Sequence, residues 1–194
     1  MTEFYFVRHA QPDYRSGNNA TFGLSDEGIL DRMTAADALK DIHFDAVISS
    51  PYRRSMETIL PVVEKQGLSI ITDARLRERD SGINGNSNFD LFKKRWSDFS
   101  YHEDGGESLS ECQDRNIEAL NELIEKYKDR SLLIGTHGTS LSTIINYFEP
   151  TFGFESFMRI VDYMPYVICM KFEGNKYMGF TELAYVHKAI HGKK

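Results

Sequence analysis

Three short segments of this sequence carry residues suited to holding and transferring a dianion. Arg8-His9 follows an apolar run at residues 4–7. Ser49-Ser50-Pro51 ends a second run and leads to Arg53-Arg54. His137-Gly138 closes a third, Ser131–Thr136. A guanidinium offers a planar fork that pairs two oxygens at once and stays charged. A neutral imidazole can attack as a nucleophile or move a proton. Two histidines with two or three arginines around one point would suit phosphate. A helix opening at Ser50-Pro51 would add free backbone N–H groups.

The elements that must position these segments can be read from periodicity. Residues 4–7, 45–50, 69–72 and 131–136 read as short strands. Helical patterns lie between them. Ser25 reads as an N-cap before acidic Asp26 and Glu27, and Ile29, Met33, Ala36 and Leu39 recur at helical spacing. Ser50 reads as the N-cap of the next helix, with Pro51 at its first position. Pro61 is expected to bend or divide that helix. Residues 75–106 read as irregular around a helix near 90–99. Ser108 and Glu111 form a capping box that opens a long helix to about Lys128. Another helix is expected near 140–148. Residues 166–172 and 176–183 read as a hairpin around Glu173-Gly174-Asn175. Strands alternating with helices imply parallel pairing, and the hairpin implies an antiparallel edge. The expected fold class is α/β, three layers (α/β/α) around a mostly parallel mixed sheet. Ligands of such sheets sit beyond the carboxyl ends of the strands, where all three segments fall.

The totals restrict the partners. The chain has 194 residues and a formal net charge of −6. That length reads as a single domain over residues 1–194. An acidic body repels nucleic acid and anionic membrane, so neither is expected, and a phosphate site must be a local basic pocket. Two cysteines, Cys112 and Cys169, make neither a disulfide framework nor a four-ligand zinc site. The N-terminus lacks the basic, long-apolar pattern of a signal peptide. A cytoplasmic protein is expected. His187 and His191 have metal-compatible spacing but no third ligand nearby, and no metal or cofactor is expected. The sequence sets no oligomeric state.

Taken in order, the motifs resemble the histidine phosphatase superfamily, with its phosphoglycerate mutase-like fold. The family's Arg-His-Gly is matched by Arg8-His9-Ala10. Its Ser-Ser-Pro-Leu-x-Arg-Ala-x-x-Thr is matched from Ser49 to Thr58, its Leu-x-Glu by Leu76-Arg77-Glu78, its Gly-Glu-Ser by Gly106-Glu107-Ser108, and its final His-Gly by His137-Gly138. The resemblance implies a catalytic set of His9, Glu78 and His137 with phosphate-binding Arg8 and Arg54. His9 carries the phosphoryl group, His137 joins the arginines around it, and Glu78 is the acid and then the base. Glu103 and Asp104 lie close enough to compete with Glu78. Arg77 and Arg79 are expected to point outward, and Arg53 to be a surface neighbour of Arg54.

Two departures bear on activity. The family's phosphate-contacting Asn is replaced by Arg15, so that contact falls to Arg15, Asn18 or Asn19 or is absent. The mutase branch carries Glu-Arg-His-Tyr-Gly, whereas this chain has Glu78-Arg79-Asp80-Ser81-Gly82. The resemblance therefore implies a metal-independent phosphomonoester hydrolase, acting on a small phosphorylated metabolite under a cover formed by residues 79–105. A 2,3-bisphosphoglycerate-dependent phosphoglycerate mutase and a catalytically weak phosphate-ligand sensor are the alternatives. Phe89, Phe92, Trp96, Phe99 and Tyr101 read as a small cluster under that cover, with a substrate-facing role as the other possibility.

Overall fold

The computed structural model describes residues 1–15, 17–83 and 88–189. Six strands form one sheet in the order β3-β2-β4-β1-β5-β6. They are β1 (Thr2–Arg8), β2 (Ala46–Ser49), β3 (Ile70–Thr72), β4 (Ser131–Thr136), β5 (Tyr163–Glu173) and β6 (Lys176–His187). The first four are mutually parallel, and β5 and β6 complete the sheet antiparallel. The hairpin is longer than its apolar pattern predicts.

Side-chain alternation along the central strands builds two cores. Phe4, Phe6, Leu132 and Ile134 face one side, packed on α4 (Leu109–Lys126), α5 (Gly138–Phe148) and α6 (Phe154–Ile160). Tyr5, Val7 and Leu133 face the other, under α1 (Asp26–Ala38) and α2 (Arg53–Gln66). The result is the expected three-layer α/β/α arrangement. A nine-residue helix, α3 (Phe89–Ser97), packs on α6 and adds Phe92 to the first core. Among the described residues, no helix is long and apolar enough to cross a membrane.

Several local expectations hold. Ser25 Oγ accepts the Gly28 N–H, and Ser108 with Glu111 completes the capping box. Others are corrected. Ile29 and Met33 are exposed, and α1 instead buries Gly28 and Ala35. The helix comes so close that a Cβ on Gly28 would lie 2.1 Å from the Gln11 carbonyl, so the small residues face inward. The second helix begins at Arg53, not Pro51, and Tyr52 holds its N-cap position. Pro61 does not divide it. Proline lacks the N–H that the Glu57 carbonyl would accept, and Arg32 Nη1 donates to that carbonyl instead, at 3.0 Å. Helix α6 has no sequence-predicted counterpart.

Candidate active site

The register of the parallel strands sets the site. Arg8 pairs with Thr136, and Ser49 with Gly135. The next residues, His9, Ser50 and His137, therefore leave three adjacent strands at one level. The ring centroids of His9 and His137 are 5.2 Å apart. Beyond them opens a cavity of about 570 Å³, lined by Arg8, His9, Arg54 and Glu78 among others. Two histidines and two arginines thus converge as the strand ends imply. Arg53 stays outside and pairs with Glu57.

Each group is held from outside its own segment. His9 Nδ1 donates to the Ala10 carbonyl at 2.8 Å, since a carbonyl can only accept. This fixes the tautomer and leaves the lone pair on Nε2. Burial, then the charges of Arg54 and Arg8, hold the His9 pKa well below the usual histidine value. Its imidazole is neutral, as nucleophilic attack requires. His137 is likewise pulled low by burial and by Arg54, and its Nε2 meets Ser50 Oγ at 2.7 Å. Arg8 Nη1 donates to the carbonyls of Ile160 and Val161 at 2.9 and 2.8 Å. The end of α6 thus aims Arg8, and carbonyls at a helix C-terminus attract a cation. Arg54 donates to the carbonyl and Oδ1 of Asn19. Of the three candidates for the missing contact, only Asn19 lines the cavity. Arg15 is exposed and bonded to Asp13, and Asn18 bonds within its own loop.

Glu78 is fixed by three N–H groups. Oε2 accepts from Thr139 at 3.1 Å, and Oε1 from Ser140 at 3.2 Å and from Arg79 at 2.8 Å. It thereby caps α5, whose own N-cap residue, His137, makes no side-chain cap bond. Its backbone is held by Arg115, which donates to the carbonyls of Arg75, Arg77 and Glu78 and grips Glu107 with Nε and Nη2. Glu107 therefore does more than order α4. Arg115 carried no signal in the sequence. Among its competitors, Glu103 is occupied by Arg79 and Arg95, and Asp104 is exposed.

Arg77, expected to point outward, is half-buried; it does not line the cavity and pairs with Glu107. Arg79 turns inward against the same expectation. It is 2% exposed, lines the cavity and donates to Glu103 and to the Glu107 carbonyl. Arg95, Tyr14, Phe22 and Phe157 also line the cavity without having been singled out, whereas Phe92 has the substrate-facing position allowed to the aromatic cluster. Trp96 packs on Phe99 and Phe157, whereas Phe89 packs on Phe154 and Tyr101 lies under Lys94 Nζ, so the five do not form one cluster.

The site is built for an anion. Among the described residues, Arg8 Nε and His137 Nδ1 are buried without a partner. Such atoms cost about 1–3 kcal/mol each when unpaired, and phosphate oxygens would satisfy them. A Cβ at Gly138 would lie 2.9 Å from Arg8 Nε and Cζ. Gly138→Ala is accordingly expected to push the Arg8 guanidinium aside and lower kcat about 100-fold on every phosphomonoester alike. A loss under tenfold in steady-state assays would show that Arg8 can shift without releasing phosphate. No three His, Cys, Asp or Glu side chains among the described residues are grouped to hold a metal ion. His187 is exposed, and His191 lies outside the described residues.

A match to the histidine phosphatase superfamily (branch 1) spans residues 4–176. The chain belongs to this superfamily. Its curated relatives include both kinds of activity. A 2,3-bisphosphoglycerate-dependent phosphoglycerate mutase of Allorhizobium ampelinum is 30% identical over 159 residues, covering 72% of this chain and 75% of that protein. The uncharacterized phosphatase PhoE of Bacillus subtilis is 25% identical over 149 residues, covering 75% and 76%. The solved structure of Bacillus stearothermophilus YhfR aligns with a TM-score of 0.74 at 22% identity, covering 92% of this chain and 95% of that one. That likeness shows the phosphoglycerate mutase-like α/β fold. Membership of the superfamily makes phosphatase or mutase activity the range within which the site must be read.

Proposed function

We propose that this superfamily member is a phosphomonoester hydrolase that works through a phosphohistidine on His9. The observation that carries this reading is the His9 tautomer. Nδ1–H is committed to the Ala10 carbonyl, so Nε2 offers its lone pair in a cavity shared with Arg8, Arg54 and Glu78. In the first step Nε2 bonds to phosphorus and the bond to the substrate oxygen breaks. The electron pair stays on that oxygen, which takes a proton from Glu78. Phosphoryl transfer needs mainly positioning and charge stabilisation on the equatorial oxygens, which Arg8, Arg54 and His137 supply. In the second step water attacks phosphorus and gives its proton to Glu78. The phosphorus–nitrogen bond breaks, its pair returns to Nε2, and orthophosphate leaves.

Hydrolysis is favoured over mutase chemistry by the cover. A mutase must exclude water while a bound product reorients. The His and Tyr of the mutase pattern are replaced by Asp80, which is exposed, and Ser81. Of the expected cover, residues 79–105, the described residues 79–82, Phe92 and Arg95 line the cavity and residues 84–87 lie outside the described ones. A small phosphorylated metabolite is the ligand that this cavity suits. Cys112 and Cys169 are both buried and unpaired, which suits a reducing cytoplasm.

The test is phosphate release from a panel of phosphomonoesters in EDTA. Sustained release is expected, and the ranking gives the substrate class. Loss of activity in EDTA would refute a metal-free route. Phosphoryl exchange without release, dependent on 2,3-bisphosphoglycerate, would replace the hydrolase with a mutase.

A further inference from the structure

The two site histidines must meet a phosphoryl group with opposite chemistry. His9 offers phosphorus a lone pair, whereas His137 can stabilise the phosphoryl oxygens only by donating a hydrogen. A neutral imidazole carries one N–H, and burial with the charge of Arg54 keeps His137 neutral. Its contribution therefore depends on which nitrogen holds the proton. A lone pair turned towards an anionic oxygen would repel it.

One hydroxyl decides between the nitrogens. Ser50 is fully buried, and its N–H donates to the Gly135 carbonyl at 2.9 Å, which ties it to β4 two residues before His137. Ser50 Oγ lies 2.7 Å from His137 Nε2 and accepts the Tyr52 N–H at 3.2 Å. Among the described residues Oγ has no other hydrogen-bond partner. A hydroxyl has one hydrogen to give. If His137 Nε2 carried the ring proton, Oγ would accept twice and the Ser50 hydrogen would have no acceptor. The Nδ1 lone pair would be a second orphan, since Nδ1 is buried without a partner. If Nδ1 carries the proton instead, the Ser50 O–H donates to Nε2 while Oγ still accepts from Tyr52. Only the Nδ1–H is then left over. Unpaired buried polar groups are costly, so the arrangement with one orphan prevails over that with two. The spare group is a donor, which is what a dianion takes up. Gly138 and Thr139, next in the chain, line the cavity, and the His9 ring lies 5.2 Å away.

We propose that Ser50 is a positioning residue that holds the His137 proton on Nδ1, so that this nitrogen can donate to phosphoryl oxygens. The identity of the ligand rests on the hydrolase reading above. Both histidines then carry their proton on Nδ1 for opposite ends. In His9 it is spent on a backbone carbonyl and frees a lone pair. In His137 it is kept free as a donor.

Nitrogen-15 NMR of the histidine-labelled protein tests this. In the wild type at neutral pH, His137 is expected to show a protonated Nδ1 and an unprotonated Nε2, and its Nδ1 signal to move when inorganic phosphate is added. The signals are identified by their loss in His137→Gln. A proton on Nε2 overturns the proposal, and this arm does not depend on any Ser50 variant folding. In Ser50→Ala the ring is expected to shift towards the Nε2–H tautomer. The Kd for inorganic phosphate should rise about ten- to hundredfold, the effect of losing a hydrogen bond to a charged group in a buried site. Ser50→Thr keeps the hydroxyl and should restore the tautomer, with the Kd within about threefold of the wild type. A merely structural Ser50 would change affinity and leave the tautomer unmoved, and that result overturns the positioning role. So does a Ser50→Ala protein that binds phosphate within threefold of the wild type. If phosphate binds with the expected tautomer but no phosphomonoester is turned over, the hydrolase reading fails and the positioning role stands.

Discussion

His9→Ala is expected to hydrolyse phosphomonoesters on the order of 10⁴-fold more slowly than the wild type, or worse, and to trap no covalent phosphate. Removing a nucleophile leaves only binding and electrostatic stabilisation, and such losses are typically the largest an active site shows. The substitution should spare the fold. The local framework here is backbone and neighbouring hydroxyl: His9 N–H donates to the Thr136 carbonyl, and Ala10 N–H to Thr58 Oγ1. Neither bond uses the imidazole. Acid quenching after mixing with radiolabelled substrate should leave label on the wild type alone. Label on the variant would sink the nucleophile assignment. Turnover of the variant within tenfold of the wild type would do the same.

Glu78→Gln separates chemistry from support. An amide cannot protonate a leaving alkoxide, so alkyl phosphates should slow by about 10²–10⁴-fold. p-Nitrophenolate hardly needs a proton, so p-nitrophenyl phosphate should slow far less, by about tenfold at most. Glu78 is also the cap of α5, holding Thr139 and Ser140 with different oxygens. Glutamine has one acceptor oxygen for these N–H groups, so stability should drop by about 1 kcal/mol. A purely supporting role predicts equal kinetic losses on both substrates. Equal losses in steady-state assays would therefore remove Glu78 from the acid role.

The strand-end residues were legible because they rest on local signals. Apolar runs that stop at Arg8-His9 and at His137 need only parallel neighbours to meet, and the alternation of strands with helices implies those neighbours. Glu78 was legible only through its motif, since nothing local shows that it reaches the start of α5. Arg79 and Arg95 were not legible as a pair. Glu103 lies 24 residues from Arg79, and such pairing leaves no periodicity. Proximity to Glu78 suggested an outward Arg79, but a distant carboxylate turned it inward. Helix α6 escaped because it has seven residues and no side-chain cap. Its loss mattered, since its last turn aims Arg8.

The position of β1 between β4 and β5 imposes an order on the birth of the protein. Strand β1 is made more than 120 residues before either of its partners, β4 and β5. Elongation runs at roughly 5–20 residues per second, so Phe4 and Phe6 wait on the order of ten seconds before the segments that bury them leave the ribosome. During that interval the nascent chain holds a sticky, unpaired strand and no competent phosphate pocket. Activity can then arise only after β4 and β5 have emerged, and fragments ending before β4 cannot possess a diluted version of it.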